Sequence, residues 1–565
     1  MSHSPNAASR IHFIKIDNAP VNGLNYAVRQ HIVAGLDAAQ QDDTVTAVVL
    51  MGAGKVFSGG ADMREFGTSM EAAEPHLNTV IARLENFPKP VIAVLHGVAM
   101  GGGLELAMGC HYRLTTANCK IALPEIKLGL MPGGGGTQRL PRLTNREMAL
   151  AVIVSGDVFQ PSWFADTALF DGVIDDGDAA ALEAQALAFV SALGTPASLP
   201  RTCHRAVDID AGGAALQAAK LAGQATAHWY PAPLKCIEAI EASAQLSFAE
   251  GLALERTLFL SLLESDTSKA LRYQFFAERA VGKIRDLPAA AATPVVSAAV
   301  IVGAGDSGDY LQDMLVRAGI ATQRIAVGEL GDASKQEALA AADAVFCGEA
   351  EAAGNPVPLF QALEKQVSAS CLLVSLSHGD LLDRVAAEVA RPAHIAGLYL
   401  GLPGDKLPVI EIIRSRATAA QTAAALMALC KRLRKTGIVA PACSGFIGPR
   451  LLATLMQHRK IMVEAGVAER AIDQALREFG FLEGPCLRSD TAVENDAPAP
   501  SGKPVAARDI AADITRALGD EAASLLAESD LVTAADIDMV FTKAYGFPRH
   551  RGGPVYHRKM QQIVS

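Results

Sequence analysis

Residues 89–103 read KPVIAVLHGVAMGGG, and this stretch decides the fold of the first part of the chain. Its apolar and β-branched residues are typical of a buried strand, and three glycines follow directly. Residues 104–108, LELAM, then begin a helical pattern. A second short apolar run, VTAVVLMGAG over residues 45–54, also ends in glycine. Buried strands that alternate with helical patterns predict an α/β fold.

The start of the helix after residue 101 is suited to hold a negative oxygen. Backbone N–H groups in a first helical turn have no helical partner, and the helix dipole adds positive charge there. Glycines let a ligand approach that backbone closely. Glu105 lies beside these amides, and Glu125 follows in a Leu-Pro-Glu loop. Taken singly, each carboxylate is more often a solvated surface charge than a functional group.

Composition bounds the size and the partners of the protein. The chain has 565 residues and a mass of 59.0 kDa, enough for three or four domains. Half of the residues are hydrophobic and only 19% are charged, which argues against a disordered chain. The formal net charge of −10 argues against unspecific binding to nucleic acid or anionic membranes.

Cysteine usage and the terminal sequences predict a cytoplasmic protein. None of the nine cysteines lies in a C-x-x-C pair, and their odd number favours reduced thiols. No close cluster of histidine and cysteine indicates a metal site. The N-terminal residues lack a signal core, and no apolar run reaches the roughly 18–20 residues of a membrane span. The final residues, QQIVS, differ from a peroxisomal S-K-L address.

Pattern changes along the chain predict four parts. Leu254, Leu258, Leu262 and Leu263 recur at helical spacing, and Ser-Asp-Thr at 265–267 interrupts them. LPAAAATP at 287–294 is typical of a linker, residues 418–485 have helical patterns, and 496–507 is a Pro-rich loop. The predicted parts are an α/β domain, a helical region, a second α/β domain and helical C-terminal modules, over residues 1–200, 201–290, 291–440 and 441–565.

Three motifs in order resemble one known family. They are FSGGADMREF at 57–66, GVAMGGGLELAMGCHYR at 97–113 and ALPEIKLGLMPGGGGTQRLPR at 122–142. Together they resemble the enoyl-CoA hydratase/isomerase (crotonase) superfamily, and most closely the hydratase part of the multifunctional enzymes of fatty-acid β-oxidation. The helical stretch 252–279 is similar to the linker helices of those enzymes. The resemblance implies a crotonase (ββα spiral) fold and an acyl-CoA thioester substrate.

The resemblance also implies roles for residues of the first domain. The N–H groups of Ala61 and Gly102 would form an oxyanion hole for the thioester carbonyl. Glu105 and Glu125 would hold a water that adds to C3 of a trans-2-enoyl-CoA, so hydration would need no further cofactor. Such a pair can divide acid and base roles between its members. The implied CoA contacts are Gly60, Ala61, Asp62, Arg64 and Gly101, although Arg64 is equally typical of a solvated surface residue.

Residues 295–308, VVSAAVIVGAGDSG, form a second glycine motif. A strand pattern runs into the G-x-G-x-x-G of Gly303, Gly305 and Gly308, and a helical pattern follows, which predicts a Rossmann-like nucleotide turn. Glu329 lies near the position where an acidic residue binds the ribose hydroxyls, and it is equally typical of a charged loop residue. Asp306 lies inside the turn, where its negative charge would oppose a phosphate. The motif therefore leaves NAD binding uncertain.

This second half resembles L-3-hydroxyacyl-CoA dehydrogenase, but several family positions are altered. Tyr399 stands where the family has its catalytic His, and Leu402 and Pro449 stand where it has Asn. Ser375 and Glu411 match, yet Glu411 has no His to orient. A phenol is a poor general base at neutral pH. The stretches 444–485 and 534–560 are similar to the helical modules of the family.

These observations predict an enoyl-CoA hydratase joined to a shortened, non-catalytic dehydrogenase half. Three other interpretations stay open at this point. The first is a Δ3,Δ2-enoyl-CoA isomerase that uses the same hole and one carboxylate. The second is a bifunctional hydratase and NAD-dependent dehydrogenase with unusual residues. The third is a non-catalytic acyl-CoA-binding assembly subunit that docks a thiolase.

Overall fold

The fold is described by a computed structural model over residues 10–208, 212–288, 293–348, 355–376, 381–401, 407–481 and 506–564. The chain forms two compact units, Met1–Arg272 and Tyr273–Ser565. Helices between residues 212 and 263 share the hydrophobic core of the first unit, through Leu216, Cys236 and Phe259 among others. The finer division into four parts stays a prediction.

A parallel sheet forms the centre of the first unit. Its five strands lie side by side in chain order, namely Arg10–Ile16, Val45–Gly52, Val91–Leu95, Tyr112–Thr116 and Gly172–Ile174. A second parallel pair joins Val98–Met100 to Lys120–Ala122. The strands predicted from 45–54 and 89–103 are confirmed, and both are almost wholly buried because helices cover the sheet.

The helices of the first unit carry the loops of the site. They are Tyr26–Gln41, Leu77–Glu85, Gly102–Met108, Gly136–Leu143, Arg146–Ser155, Ala179–Leu193, Gly213–Gln224, Ala232–Gln245 and Phe248–Leu263, with short 3-10 turns at Pro124–Leu128, Pro161–Phe164 and Thr202–His204. Asn25 and Asn145 cap two of them by accepting amide hydrogen bonds.

The predicted break near residue 265 is confirmed. The helix Phe248–Leu263 ends there, and the helix Asp266–Ala280 begins. The first unit includes this segment as far as Arg272, and Tyr273 onward belongs to the second unit. Apolar residues at helical spacing need a partner surface, and the resemblance predicts that the 252–279 helices pack on the first domain rather than on the second. Only the part up to Arg272 belongs to the first unit.

The leucines at helical spacing in the helix Phe248–Leu263 differ in burial. Leu254 and Leu258 are only half-buried. The most buried positions are Gly251, Glu255, Phe259, Leu262 and Leu263. The sequence pattern missed this stripe because a glycine and a glutamate occupy two of its positions.

The second unit contains a seven-stranded sheet. Its spatial order is Thr436–Pro441, Val409–Arg414, Ile395–Tyr399, Leu372–Ser375, Ala344–Cys347, Ala298–Val302 and Ala321–Ile325. Neighbours are parallel except Ile395–Tyr399 beside Val409–Arg414. This confirms the predicted second α/β unit. The prediction that 418–485 is wholly helical is wrong, because the run Thr436–Pro441 pairs with Val409–Arg414 and extends the sheet.

Ten helices described in the second unit flank the sheet and form the C-terminal modules. They are Asp306–Arg317, Ala333–Ala341, Val357–Leu363, Leu382–Glu388, Ala420–Arg432, Gly448–Glu464, Glu469–Phe479, Ala507–Glu528, Ala534–Ala544 and Pro554–Val564, with 3-10 turns at Val327–Glu329, Pro392–His394 and Arg549–Arg551. Leu402 and most of the predicted loop 496–507 lie outside the described residues. Within the described ranges, no helix is both long and apolar enough to cross a membrane.

Candidate active site

Backbone hydrogen bonds hold the segment 58–61 beside the strand Val98–Met100. Met100 N donates to Ser58 O at 3.0 Å, and Gly60 N donates to the Ser58 hydroxyl at 3.1 Å. Gly60 has φ +102°, and a β-carbon there would lie 2.8 Å from Met100 O. Only glycine fits this position, because the contact and the conformation both exclude a side chain. The result is a close approach of residues 60–61 to the start of the next helix.

Two unpaired amides meet at this approach. Gly102 N begins the helix Gly102–Met108, and a β-carbon on Gly102 would lie 3.1 Å from Ala61 N. Neither amide donates a hydrogen bond to any of the described residues. A pair of adjacent free N–H groups at a helix start can hold one negative oxygen.

Glu105 lies in the same helix and is almost fully buried, at 2% exposed. Its Oε1 accepts hydrogen bonds from Gly134 N at 2.7 Å and Gly136 N at 2.8 Å. Burial raises the pKa of Glu105 to about 7, and the two amide hydrogen bonds oppose that rise. This carboxyl group can therefore take or release a proton near neutral pH.

Glu125 brings a second carboxyl group to the same place. A β-carbon on Gly101 would lie 2.9 Å from Glu125 Oε1, so this oxygen lies against the glycine that precedes the helix. Glu125 Oε2 is buried and has no hydrogen-bond partner among the described residues. Burial first, and then the negative charge of Glu105, raise the pKa of Glu125 well above its ordinary value. The two carboxyl groups thus cannot both ionise easily.

A third buried carboxyl group, Glu255, was not predicted. Glu255 Oε1 accepts from Gly135 N at 2.6 Å, and Oε2 accepts from Thr137 N at 3.0 Å and the Thr137 hydroxyl at 2.6 Å. Burial first and the charge of Glu105 second raise the pKa of Glu255 to about 8. Its position four residues before Phe259, on the buried stripe of its helix, was the available sequence signal.

Two of the predicted CoA contacts, Asp62 and Arg64, bond to each other. Arg64 Nε donates to Asp62 Oδ1 at 2.9 Å, and Arg64 Nη2 donates to Asp62 Oδ2 at 2.6 Å. The Arg64 side chain is 73% exposed. Its guanidinium is therefore already paired with Asp62, and a phosphate would share or replace that partner.

In the second unit the predicted nucleotide turn is occupied by an ion pair. Gly303 and Gly305 have φ of +93° and +135°, and the helix Asp306–Arg317 follows. Arg324 Nε donates to Gly303 O at 2.9 Å, and the Arg324 guanidinium also pairs with Asp309. A β-carbon on Gly308 would lie 3.2 Å from Arg324 Nη2.

The acidic residues around this turn bond locally or add negative charge to the start of the helix. Glu329 uses its carboxylate locally, because its Oε2 accepts from Ala326 N at 3.0 Å. Asp306 and Asp309 both lie in the first turn of the helix that should face a phosphate. Their negative charges oppose an anionic ligand at that place.

Tyr399 and Glu411, from the predicted dehydrogenase site, lie on neighbouring strands of the sheet. Tyr399 is paired in register with Glu411, and its ring packs against Phe446 with centroids 5.7 Å apart. Ser375 ends its strand next to Gly397. The structure therefore brings Tyr399, Glu411 and the start of the helix Gly448–Glu464 into one neighbourhood.

Glu411 has a different partner from the histidine that the family would supply. Its two oxygens accept from Ile447 N at 2.9 Å and Gly448 N at 3.1 Å. Burial raises the pKa of Glu411 to about 7, against the effect of these amides. Pro449 follows directly and has neither an N–H group nor a polar side chain. Glu411 thus caps the helix Gly448–Glu464.

Comparisons with known protein families agree with both units. Residues 6–195 match the family model for enoyl-CoA hydratase/isomerase. Residues 312–443 match the model for the NAD binding domain of 3-hydroxyacyl-CoA dehydrogenase. The second match begins after the glycine turn at 303–308. These matches confirm the predicted crotonase fold and the Rossmann-like second domain.

Curated relatives are similar over most of the chain. The peroxisomal bifunctional enzymes of Cavia porcellus and Homo sapiens are each 32% identical, covering 85% of this chain and 71% of the relative. The glyoxysomal fatty acid beta-oxidation multifunctional protein MFP-a of Cucumis sativus is 28% identical, covering 84% and 71%. Among solved structures, an enoyl-CoA hydratase from Thermoplasma volcanium is 26% identical with a TM-score of 0.30, covering 45% of this chain and 88% of its own.

At this identity and coverage the chain belongs to the crotonase superfamily and, within it, to the family of multifunctional hydratase/3-hydroxyacyl-CoA dehydrogenase enzymes of fatty-acid β-oxidation. The names of the relatives place those proteins in peroxisomes and glyoxysomes. A cytoplasmic location for this chain stays a prediction.

Proposed function

We propose that the first unit is an enoyl-CoA hydratase that adds water to trans-2-enoyl-CoA thioesters. One observation carries this proposal. Two buried carboxyl groups of unequal proton affinity, Glu105 and Glu125, lie beside the free amides of Ala61 and Gly102. Hydration needs a base for the water, an acid for C2 and donors for the enolate oxygen, and this arrangement supplies all three.

The unequal pKa values divide the roles of the two carboxyl groups. Glu105, with a pKa of about 7, takes a proton from the water as the water oxygen bonds to C3. The electrons of the C2–C3 double bond move toward C1, and the thioester oxygen becomes negative. The N–H groups of Ala61 and Gly102 hold that oxygen. Glu125, whose pKa burial and the charge of Glu105 raise well above its ordinary value, delivers a proton to C2.

Replacing the two carboxyl groups tests this division of roles. The loss of conjugated enoyl absorbance is measured with trans-2-butenoyl-CoA. Glu105→Ala and Glu125→Ala should each lower kcat by about 10²–10⁴-fold, the usual contribution of general acid–base catalysis. Glu238→Ala, at an exposed glutamate on the helix Ala232–Gln245, is the matched control and should keep full activity. Turnover like that of the wild type in the double replacement would contradict the assignment.

We propose further that the second unit does not oxidise 3-hydroxyacyl-CoA. Oxidation by hydride transfer needs a base for the hydroxyl proton, and Tyr399 offers a phenol, which is a poor general base at neutral pH. Glu411, which would orient a histidine, is hydrogen-bonded to Ile447 N and Gly448 N instead. Pro449 cannot donate a hydrogen bond to a thioester.

The residues of the glycine turn also do not fit NAD. Arg324 lies against Gly303 and Gly308, where a dinucleotide would approach the backbone most closely. Asp306 and Asp309 place two negative charges in the first helical turn, and Glu329 is bonded to Ala326 N. This disagreement supports a dehydrogenase-related domain that is retained without its chemistry.

Oxidation of NADH with acetoacetyl-CoA tests this second proposal. We expect no turnover in the ordinary enzyme range of about 1–10³ s⁻¹. Tyr399→His should not restore activity, because Glu411 remains bonded to the two amides. Ordinary turnover in the wild type would favour the bifunctional interpretation instead. A thiolase as partner of this retained domain stays a prediction.

A further inference from the structure

Four successive amides of the glycine-rich loop are divided between two buried carboxylates. Gly134 N and Gly136 N donate to Glu105, whereas Gly135 N and Thr137 N donate to Glu255. The donors alternate along the chain because successive N–H groups in this loop point to opposite sides. Glu105 and Glu255 therefore hold one peptide segment from two sides.

This arrangement gives the loop little freedom to move. Gly135 has φ +93°, and a β-carbon on Gly133 would lie 2.7 Å from the Phe259 ring. Arg139 Nη1 donates to Gly134 O at 3.1 Å, and its Nη2 pairs with the buried Glu85 at 2.7 Å. Glu255 is 1% exposed, so its three hydrogen bonds form in a site from which water is excluded. Hydrogen bonds in such a site of low dielectric constant are strong.

The loop thus connects Glu255 to the hydrogen bonds of Glu105. A shift of residues 135–137 would move Gly134 N and Gly136 N, which lie 2.7 and 2.8 Å from Glu105 Oε1. The amides of Gly134 and Gly136 also lower the pKa of Glu105, so a shift of the loop that lengthens these hydrogen bonds raises that pKa. The other titratable groups that face Glu255 are Glu125 and Cys236.

We propose that Glu255 is a positioning residue that fixes the orientation and the protonation of Glu105 through the glycine-rich loop. Its contribution to catalysis rests on the proposed hydratase function, whereas its link to Glu105 does not. Glu255 lies in the helix Phe248–Leu263, so this role makes the helix a part of the catalytic apparatus rather than a connection only.

Glu255→Gln is the main test variant. Glutamine has one carbonyl oxygen that can accept a hydrogen bond, whereas its NH₂ group can only donate. One of the two loop amides that donate to Glu255, Gly135 N or Thr137 N, therefore loses its acceptor. We expect kcat to fall by about 10–100-fold, in keeping with the cost of a misplacement of about 1 Å, and KM to stay within about threefold. Weaker amide hydrogen bonds from the displaced loop should raise the pKa of Glu105 and move the acidic limb of the kcat–pH profile to higher pH.

Two further variants separate positioning from folding. Thr137→Val removes only the hydroxyl donor to Glu255 and should lower kcat less than Glu255→Gln, and Thr137→Ser should restore it. Glu250→Gln changes an exposed capping residue of the same helix and should keep both kcat and the pH profile. The proposal would be overturned if Glu255→Gln lost kcat only in proportion to its unfolded fraction and the acidic limb of its kcat–pH profile did not move.

Infrared titration of buried carboxyl groups provides a readout that needs no turnover. The Glu105 band is assigned by its absence in Glu105→Gln. In Glu255→Gln the Glu105 band should titrate at higher pH than in the wild type, because the loop amides that lower its pKa are displaced, and an identical midpoint would overturn the proposal. If the wild type fails to hydrate enoyl-CoA, the proposed function fails, and this midpoint still decides whether Glu255 controls Glu105.

Discussion

One added methyl group at residue 134 should disable hydration while the fold stays intact. In Gly134→Ala the new β-carbon would lie 2.8 Å from Glu105 Oε2, 3.0 Å from its Cδ and 3.1 Å from Ile81 Cδ1. Ordinary van der Waals contact needs 3.4–4 Å, so the carboxyl group must move by about 0.5–1 Å. Glu105 cannot move without stretching its hydrogen bond to the amide of the same residue 134.

The expected cost follows from this displacement. A shift of about 1 Å in a catalytic group costs up to about 10²-fold in rate, so we expect kcat to fall by about 10–100-fold, or about 1.4–2.7 kcal/mol of barrier. Gly213→Ala is the matched control, since no heavy atom lies within 4 Å of its β-carbon. The control should keep kcat and gain up to about 1 kcal/mol of stability. Both are measured with trans-2-butenoyl-CoA and by thermal unfolding, and a kcat for Gly134→Ala within twofold of the wild type would refute the reasoning.

Three other changes have defined outcomes. Gly60→Ala should lower kcat by about 10²–10³-fold in the enoyl absorbance assay, because its β-carbon would lie 2.8 Å from Met100 O and displace one amide of the oxyanion hole; an unchanged kcat would contradict that hole. Above pH 7, Glu105→Gln should unfold at a higher temperature than the wild type, and its free energy of unfolding should be larger by at most roughly 3 kcal/mol. This difference should vanish below about pH 4.5. The sign follows because burial raises the pKa of Glu105 to about 7, so the folded state binds an extra proton that it must lose as the pH rises. Glu411→Ala should lower the free energy of unfolding of the second unit by about 1–2 kcal/mol, because two amides at a helix start lose their acceptor. Hydration should stay unchanged. An unchanged unfolding midpoint would show that water replaces the carboxylate.

The sequence was informative where the site is local along the chain. Glu105 could be predicted because the strand, the glycines and the helix that carry it are consecutive. Glu125 followed from the order of the motifs, and its proximity to Gly101 is found as expected. Their unequal pKa values could not be predicted, because burial and the distance between charges depend on the whole packed unit.

Contacts between distant residues account for what was missed. Glu255 is separated by 120 and 118 residues from the amides that it binds, and no spacing rule links them. Glu411 was predicted by position only, since its use as a cap depends on how the helix Gly448–Glu464 meets the sheet. The strand Thr436–Pro441 forms because the neighbouring strand offers it a partner, which short-range patterns do not record.

The most direct test of the account is a single reaction of the purified chain with trans-2-butenoyl-CoA and NAD⁺, followed at two wavelengths. The conjugated enoyl absorbance should fall to the hydration equilibrium at an ordinary enzyme rate, and no NADH should form. The first result requires Glu105 and Glu125 to act as base and acid, and the second requires the second unit to lack hydride transfer. A constant enoyl absorbance would contradict the hydratase assignment, and NADH formation at about 1–10³ s⁻¹ would contradict the loss of dehydrogenase chemistry.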